Sequence, residues 1–202
     1  MPDPKKKFRA LIEPVLHQAK LSITNQQIKQ LYHHYFLLTQ WNQKVSLTSI
    51  RDPAEIIERH FGESLFLATK LPDAKTVVDI GSGAGFPGLP FAVANPTVEV
   101  TLVESISKKA AFLKEASREI SNVRVLHSRA ENIQEGFEWA VCRAIPIKKM
   151  LPVMKSLAAN IALMTSETVA SELKDELEPP IPIPWGNQRI LLLGHFGGRC
   201  ST

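Results

Sequence analysis

Hydrophobic and polar positions along this chain follow two periods, and the change falls near Leu71-Pro-Asp-Ala74. Upstream the period is helical. Thr24-Asn-Gln-Gln27 has the spacing of a capping box and precedes Ile28, Leu31, Tyr35 and Leu38, which share one helix face. Asp52-Pro53 opens a second helix, with aspartate at the N-cap and proline in the first turn. Its apolar stripe is Ile56, Ile57, Phe61, Leu65 and Ala68. Downstream, short β-branched runs alternate with helical ones. Strands are predicted over 76–80, 98–103, 123–127, 137–143, 161–165 and 188–196. Helices are predicted over about 88–95, over 107–120 with Ser107 as cap, and over about 147–157 and 168–177. Prolines at 179, 180, 182 and 184 confine that stretch to a sheet edge or a loop. The alternation predicts an α/β, Rossmann-like domain over 72–202, a mostly parallel sheet with helices on both faces. Residues 1–71 are predicted to form an N-terminal helical extension packed on it.

The most informative stretch is Thr76-Val-Val-Asp-Ile-Gly-Ser-Gly-Ala-Gly-Phe-Pro-Gly88, a strand that ends in an acid and runs into four glycines. Strand, glycine loop and helix make the first turn of a nucleotide-binding βα unit, where glycine lets backbone approach a ligand. Two registers are possible. Gly83-Ala-Gly85-Phe-Pro-Gly88 is a G-x-G-x-x-G, which would place a pyrophosphate on the helix N-terminus. Asp79, Gly81, Gly83 and Gly85 instead give the D-x-G-x-G-x-G pattern of S-adenosylmethionine-dependent methyltransferases. A carboxylate here repels a pyrophosphate but suits a ligand carrying an ammonium and a sulfonium, which favours the second register. Glu104 stands about 20 residues downstream, at the end of the next apolar run, where an acid can accept ribose hydroxyls. Either ligand offers a ribose, so Glu104 does not choose between them. A glycine-rich turn with no ligand is the bland alternative.

Composition narrows the class. Hydrophobic residues make up 44% of the 202, enough for a real core, yet no apolar run approaches the ~20 residues that span a bilayer. Met1-Pro-Asp-Pro-Lys-Lys-Lys lacks the apolar segment of a signal peptide, and Cys142 and Cys200 have no C-x-x-C partner. A reducing cytoplasm, with no structural metal, is the expectation. His33 and His34 are neighbours and so point to different helix faces. The net charge of +4 is compatible with a nucleic-acid partner without requiring one. The candidate phosphate contacts are Lys5, Lys6, Lys7 and Arg9, and Lys148, Lys149 and Lys155.

Several further motifs appear in order: Trp41-Asn42 with Ser46-Leu47-Thr48, His60-Phe-Gly-Glu-Ser64, Lys108-Lys-Ala-Ala-Phe-Leu113, Ser128-Arg-Ala-Glu131 and Cys142-Arg-Ala144. With the loop 79–88 they resemble the bacterial 16S ribosomal RNA guanine-N7 methyltransferases, the glucose-inhibited division protein B family, over roughly 24–193. The resemblance implies a seven-stranded methyltransferase fold with an N-terminal helical extension. It implies S-adenosylmethionine as cofactor, S-adenosylhomocysteine as product, no metal, and 16S ribosomal RNA or the small ribosomal subunit as partner of a monomer. It assigns cofactor contacts to Gly81 and Phe86 and places Ala130 and Glu131 beside the adenine. Arg143 resembles the arginine at the cofactor and substrate mouth, the candidate catalytic residue. Five residues depart: the family usually has Asn at Ser46, Asp at Glu63 and Lys-Gly where Thr165-Ser166 stands, and Ser is common at the position of Cys142.

Such chemistry needs no general base, because guanine N7 offers an in-plane lone pair and no proton. Alignment and electrostatics then carry the reaction. The chain has no Asn/Asp-Pro-Pro-Tyr after the fourth strand, and Val141 stands where a cytosine-C5 methyltransferase has proline before its cysteine. A buried, inert Cys142 is expected. A small-molecule methyltransferase on the same fold and an NAD-type oxidoreductase are the alternatives.

Overall fold

The computed structural model describes residues 3–143, 146–173, 175–185 and 188–197; Met1, Ala144 and Cys200, which the motifs above touch, lie outside them. One sheet organises the chain. Its strands are β1 (Thr76–Ile80), β2 (Glu99–Glu104), β3 (Val123–His127), β4 (Phe137–Arg143), β5 (Ala158–Ser166), β6 (Ile181–Pro182) and β7 (Arg189–His195). Their order is β3-β2-β1-β4-β5-β7-β6. β1 through β5 pair in parallel, and β7 runs antiparallel between β5 and β6. The chain lays strands outward from β1 to β3, then returns to the other side of β1 with β4. That reversal opens a crevice at the carboxyl ends of the strands.

Parallel strands covered on both faces must be apolar nearly throughout, and the buried part of β1, Val77–Ile80, is, apart from Asp79. Successive residues feed opposite cores: Val77, Leu102, Val141 and Leu191 pack on one face, Val78, Val103, Ala140 and Cys142 on the other. The first face is covered by α1 (Pro4–Ala19), α2 (Asn25–Trp41), α3 (Pro53–Ile56), α4 (Glu63–Lys70), α5 (Gly88–Ala94) and α6 (Ser107–Ala116). The second is covered by α7 (Ile147–Leu157) and α8 (Glu167–Glu172). Two of the three predicted caps form. Thr24 and Gln27 exchange the two bonds of a capping box, and Asp52 Oδ1 accepts the Glu55 amide at 2.9 Å.

Several expectations need correction. α1 is an additional helix; it buries Phe8, Ile12, Val15, Leu16 and Ala19, a helical spacing that Lys5-Lys-Lys7 and Pro14 obscure in the sequence. Ser107 is the first helical residue rather than the cap, a position held by Ile106 without a side-chain bond. α6 stops at Ala116, short of 120, because Ser117 closes it and the Ile120 amide turns back to the Ser117 carbonyl. β5 begins three residues early, since Ala158 already pairs with Phe137. α8 ends at Glu172 rather than near 177. The helix predicted from Asp52 is interrupted by a π-helical turn, Ile57–Gly62. Its stripe is buried as expected, and the turn contains Arg59 and His60; such turns are common at functional sites.

Candidate active site

The glycine loop is held from below by two acids. Gly81, Gly83 and Gly85 have φ of +68°, +54° and +84°, a region open mainly to glycine. The amides of Gly81 and Ser82 both donate to the Val103 carbonyl, tying the loop to β2. Glu104 accepts the Gly83 amide at 3.0 Å and the Ile106 amide at 2.7 Å. Its carboxylate therefore fixes the loop between two backbone donors. Asp79 Oδ2 accepts the Gly88 amide at 3.0 Å, while Oδ1, equally buried, has no partner. Burial pushes the Asp79 pKa up to about 7, against the pull of the Gly88 amide. Gly88 is required there: a Cβ would lie 2.6 Å from Asp79 Oδ2 and clash with Leu102. A pyrophosphate in the G-x-G-x-x-G register would need the amide that Asp79 already occupies.

Above the carboxyl ends of β1–β3 lies a cleft of about 320 Å³, lined by Ile80, Gly81, Val103, Ser105, Ala130 and Glu131 among others. The structure thus brings Gly81, Ala130 and Glu131 together on one cleft, with Glu131 exposed and Ala130 buried in a 3₁₀ turn, Ala130–Asn132. Gly83, Asp79 and Glu104 brace the loop behind it.

Phe86 and Arg143 belong to a second cluster. The Phe86 ring stacks on His60 at 4.8 Å and lies 4.6 Å from His34, and the Arg143 guanidinium sits 5.8 Å from its centroid. Arg143 donates to the Arg59 carbonyl at 2.7 Å and to His60 Nδ1, and pairs with Glu63 at 3.4 Å. Glu63, 1% exposed, also takes Arg189 at 3.1 Å. One buried carboxylate thus serves two guanidiniums. Burial lowers Arg143 to about 10, which leaves it charged at neutral pH.

Sequence reasoning missed three members of this cluster. Arg189 lies at the start of β7, opposite Ser166 of β5, so the sheet pairing delivers it; no local signal marks it. Thr48 Oγ1 meets His60 Nε2 at 2.8 Å. His34 Nε2 donates to the Ala84 carbonyl at 2.7 Å, leaving a buried Nδ1 without a partner. Burial and neighbouring cations push His60 to about 3, and burial pushes His34 to about 4, so both are neutral. Cys142 is fully buried and its thiol is pushed up to about 12, which makes it an inert core residue. Trp41 packs edge-on against Phe112. Among the described residues, no group of His, Cys, Asp and Glu is arranged to hold a metal, and no helix is long and apolar enough to cross a membrane.

Residues 27–176 match the family model of rRNA small subunit methyltransferase G. The chain is 35% identical to the ribosomal RNA small subunit methyltransferase G of Clostridium botulinum, over 84% of this chain and 77% of that one. It is 31% identical to the protein of that name from Leuconostoc citreum, over 87% and 85%. Its fold resembles the crystal structure of a SAM-dependent methyltransferase from Aquifex aeolicus, with TM-score 0.55 at 15% identity, covering 71% of this chain and 93% of that one. The seven-stranded, Rossmann-like fold expected from the sequence is therefore a methyltransferase fold.

Proposed function

The chain belongs to the family of rRNA small subunit methyltransferase G, and from that premise we propose that it transfers a methyl group from S-adenosylmethionine to N7 of one guanine in 16S ribosomal RNA. One observation carries the cofactor assignment: the buried Asp79 Oδ1 has no partner, directly beneath a glycine loop that borders a cleft. An acid so placed fits a ligand that carries an ammonium and a sulfonium. Gly81, Ala130 and Glu131 line the cleft that would hold the nucleoside, and Glu104 keeps the loop in shape from behind.

When bound, S-adenosylmethionine supplies an electrophilic sulfonium methyl. The residues of this chain orient the base and exclude competing chemistry. Guanine N7 has no proton to lose, so no residue is needed to remove one. That agrees with an inert Cys142 in the core and a His60 committed at both nitrogens. Arg143 remains charged and is clamped by Glu63, Arg59 and His60. It is a preset donor beside Phe86, suited to the O6 edge of guanine or to a phosphate.

The test offers labelled S-adenosylmethionine to 30S subunits, and to free 16S RNA, from a strain lacking this protein. Incorporation at N7 of a single guanine supports the proposal. Methylation of a small molecule with untouched ribosomal particles overturns the substrate. No methyl transfer to any acceptor overturns the reaction.

A further inference from the structure

We propose that the groove between α1 and α2 seats a single strand of the RNA substrate, outside the methyl-transfer cleft. The inference rests on the reading of this chain as an RNA methyltransferase and adds a surface to it. The groove encloses about 860 Å³. Lys5, Lys6 and Arg9 line it from α1, and Lys29, Tyr32 and Phe36 from α2.

Charge and stacking surfaces alternate there. Arg9 is paired with Glu13 on its own helix, whereas Lys5, Lys6 and Lys29 make no ion pair among the described residues. Lys5 Nζ lies 5.8 Å from the Tyr32 ring, and the Tyr32 and Phe36 rings are 6.3 Å apart. Phe36 is 45% exposed, and among the described residues Ile106 is the other large apolar side chain so exposed. A solvated basic face would need the lysines but not the bare ring. Free cations that follow a backbone, beside aromatic rings on which bases stack, are what an unpaired nucleic-acid strand requires.

In the competing basic cluster two of the three lysines are already paired: Lys148 with Glu172 and Lys155 with Glu176, both in the region of α8. The groove also lies close to the chemistry. α2 presents Tyr32 and Phe36 to the groove, while its buried face carries His34 onto the carbonyl of Ala84 in the glycine loop. Groove and loop are thus separated by one helix, about 10–12 Å across.

The test compares the wild type with a Lys5→Gln, Lys6→Gln, Lys29→Gln triple variant and with Phe36→Ala. A short fluorescein-labelled single-stranded oligoribonucleotide is titrated by anisotropy across a salt series, and methylation of 30S subunits is measured in parallel. S-adenosylhomocysteine affinity and melting temperature should match the wild type in both variants, because neither touches the cleft. The triple variant should lower the magnitude of the log–log salt slope by about 2, near 0.7 for each lost phosphate contact. Phe36→Ala should weaken binding about tenfold with the slope unchanged, and Phe36→Tyr should restore it. Wild-type slope and affinity in both variants, with 30S methylation intact, would overturn the groove and leave the proposed function standing. Lost 30S methylation with unchanged oligonucleotide binding would assign the groove to a protein of the subunit and also overturn it. A wild-type protein that neither binds RNA nor methylates 30S subunits would remove the function and the groove together.

Discussion

Arg143 donates to Nδ1 of His60, and because a guanidinium can only donate, His60 must be the neutral tautomer that carries its proton on Nε2. That proton points to Thr48 Oγ1 at 2.8 Å. Protonating Nδ1 would break the first bond and set two cations against each other in a buried site. The pairing therefore has consequences for stability as well as for the site.

Stability should fall as the pH drops from about 6.5 to about 4. His60 at about 3 and His34 at about 4 stay neutral in the folded chain, whereas the unfolded chain protonates both near 6.5. Asp79 works the other way, since its folded value of about 7 lies above the ordinary 3.8 and the folded chain holds a proton that the unfolded one has lost. Two uptakes by the unfolded chain against one by the folded chain leave a net slope of up to about 1.4 kcal/mol per pH unit. Thermal denaturation followed by circular dichroism should show a lower midpoint at pH 5 than at pH 7. Asp79→Asn should steepen the fall. A midpoint that rises on acidification would contradict the assignment of both histidines.

Glu63→Gln should destabilise the protein by about 3–5 kcal/mol, the cost of leaving buried guanidiniums without their counter-ion. Arg143 and Arg189 both lose their carboxylate, with side chains only 13% and 18% exposed. Urea unfolding measures this directly. An unchanged midpoint would mean that solvent, rather than Glu63, compensates the two charges.

Gly81→Val and Glu104→Ala should each weaken S-adenosylhomocysteine binding by at least about 1 kcal/mol in calorimetry. Valine at φ +68° is a strained backbone on the cleft wall. Glu104→Ala releases the Gly83 and Ile106 amides together, so the loop loses its brace as well as its acid. Wild-type affinity in both variants would remove the cofactor assignment.

Cofactor affinity should also depend on pH through Asp79. Only the ionised carboxylate attracts an ammonium, so S-adenosylhomocysteine should bind more tightly as the pH rises through about 7. Asp79→Asn should bind weakly and without that dependence between pH 6 and pH 8. A pH-dependent Asp79→Asn variant would place the titrating group elsewhere.

The sheet and the loop were readable because their signals are local. β-branched runs, the four glycines and the acids at 79 and 104 each lie within a few residues of the backbone they shape. The roles of the acids were less readable. Asp79 and Glu104 were expected to face the ligand, yet both spend oxygens on loop amides, a second-order consequence of how tightly Gly83 and Gly88 approach them. The Arg143 cluster was out of reach for a different reason. Arg143 and Arg189 lie far in the sequence from His60 and Glu63, and the pairing of β4 and β7 into one sheet beside the π-helical turn brings them together. α1 was less legible although its apolar spacing is regular, because Lys5-Lys-Lys7 and the internal Pro14 interrupt the helical pattern. Lys5 and Lys6 line the groove assigned to RNA.

The most direct measurement is a crystal of this protein soaked with S-adenosylhomocysteine. The account predicts the ligand over the carboxyl ends of β1–β3, its nucleoside between Gly81 and Ala130-Glu131 and its amino acid portion toward Asp79 and Arg143. An empty cleft at saturating ligand, or a ligand seated elsewhere on the chain, would contradict it.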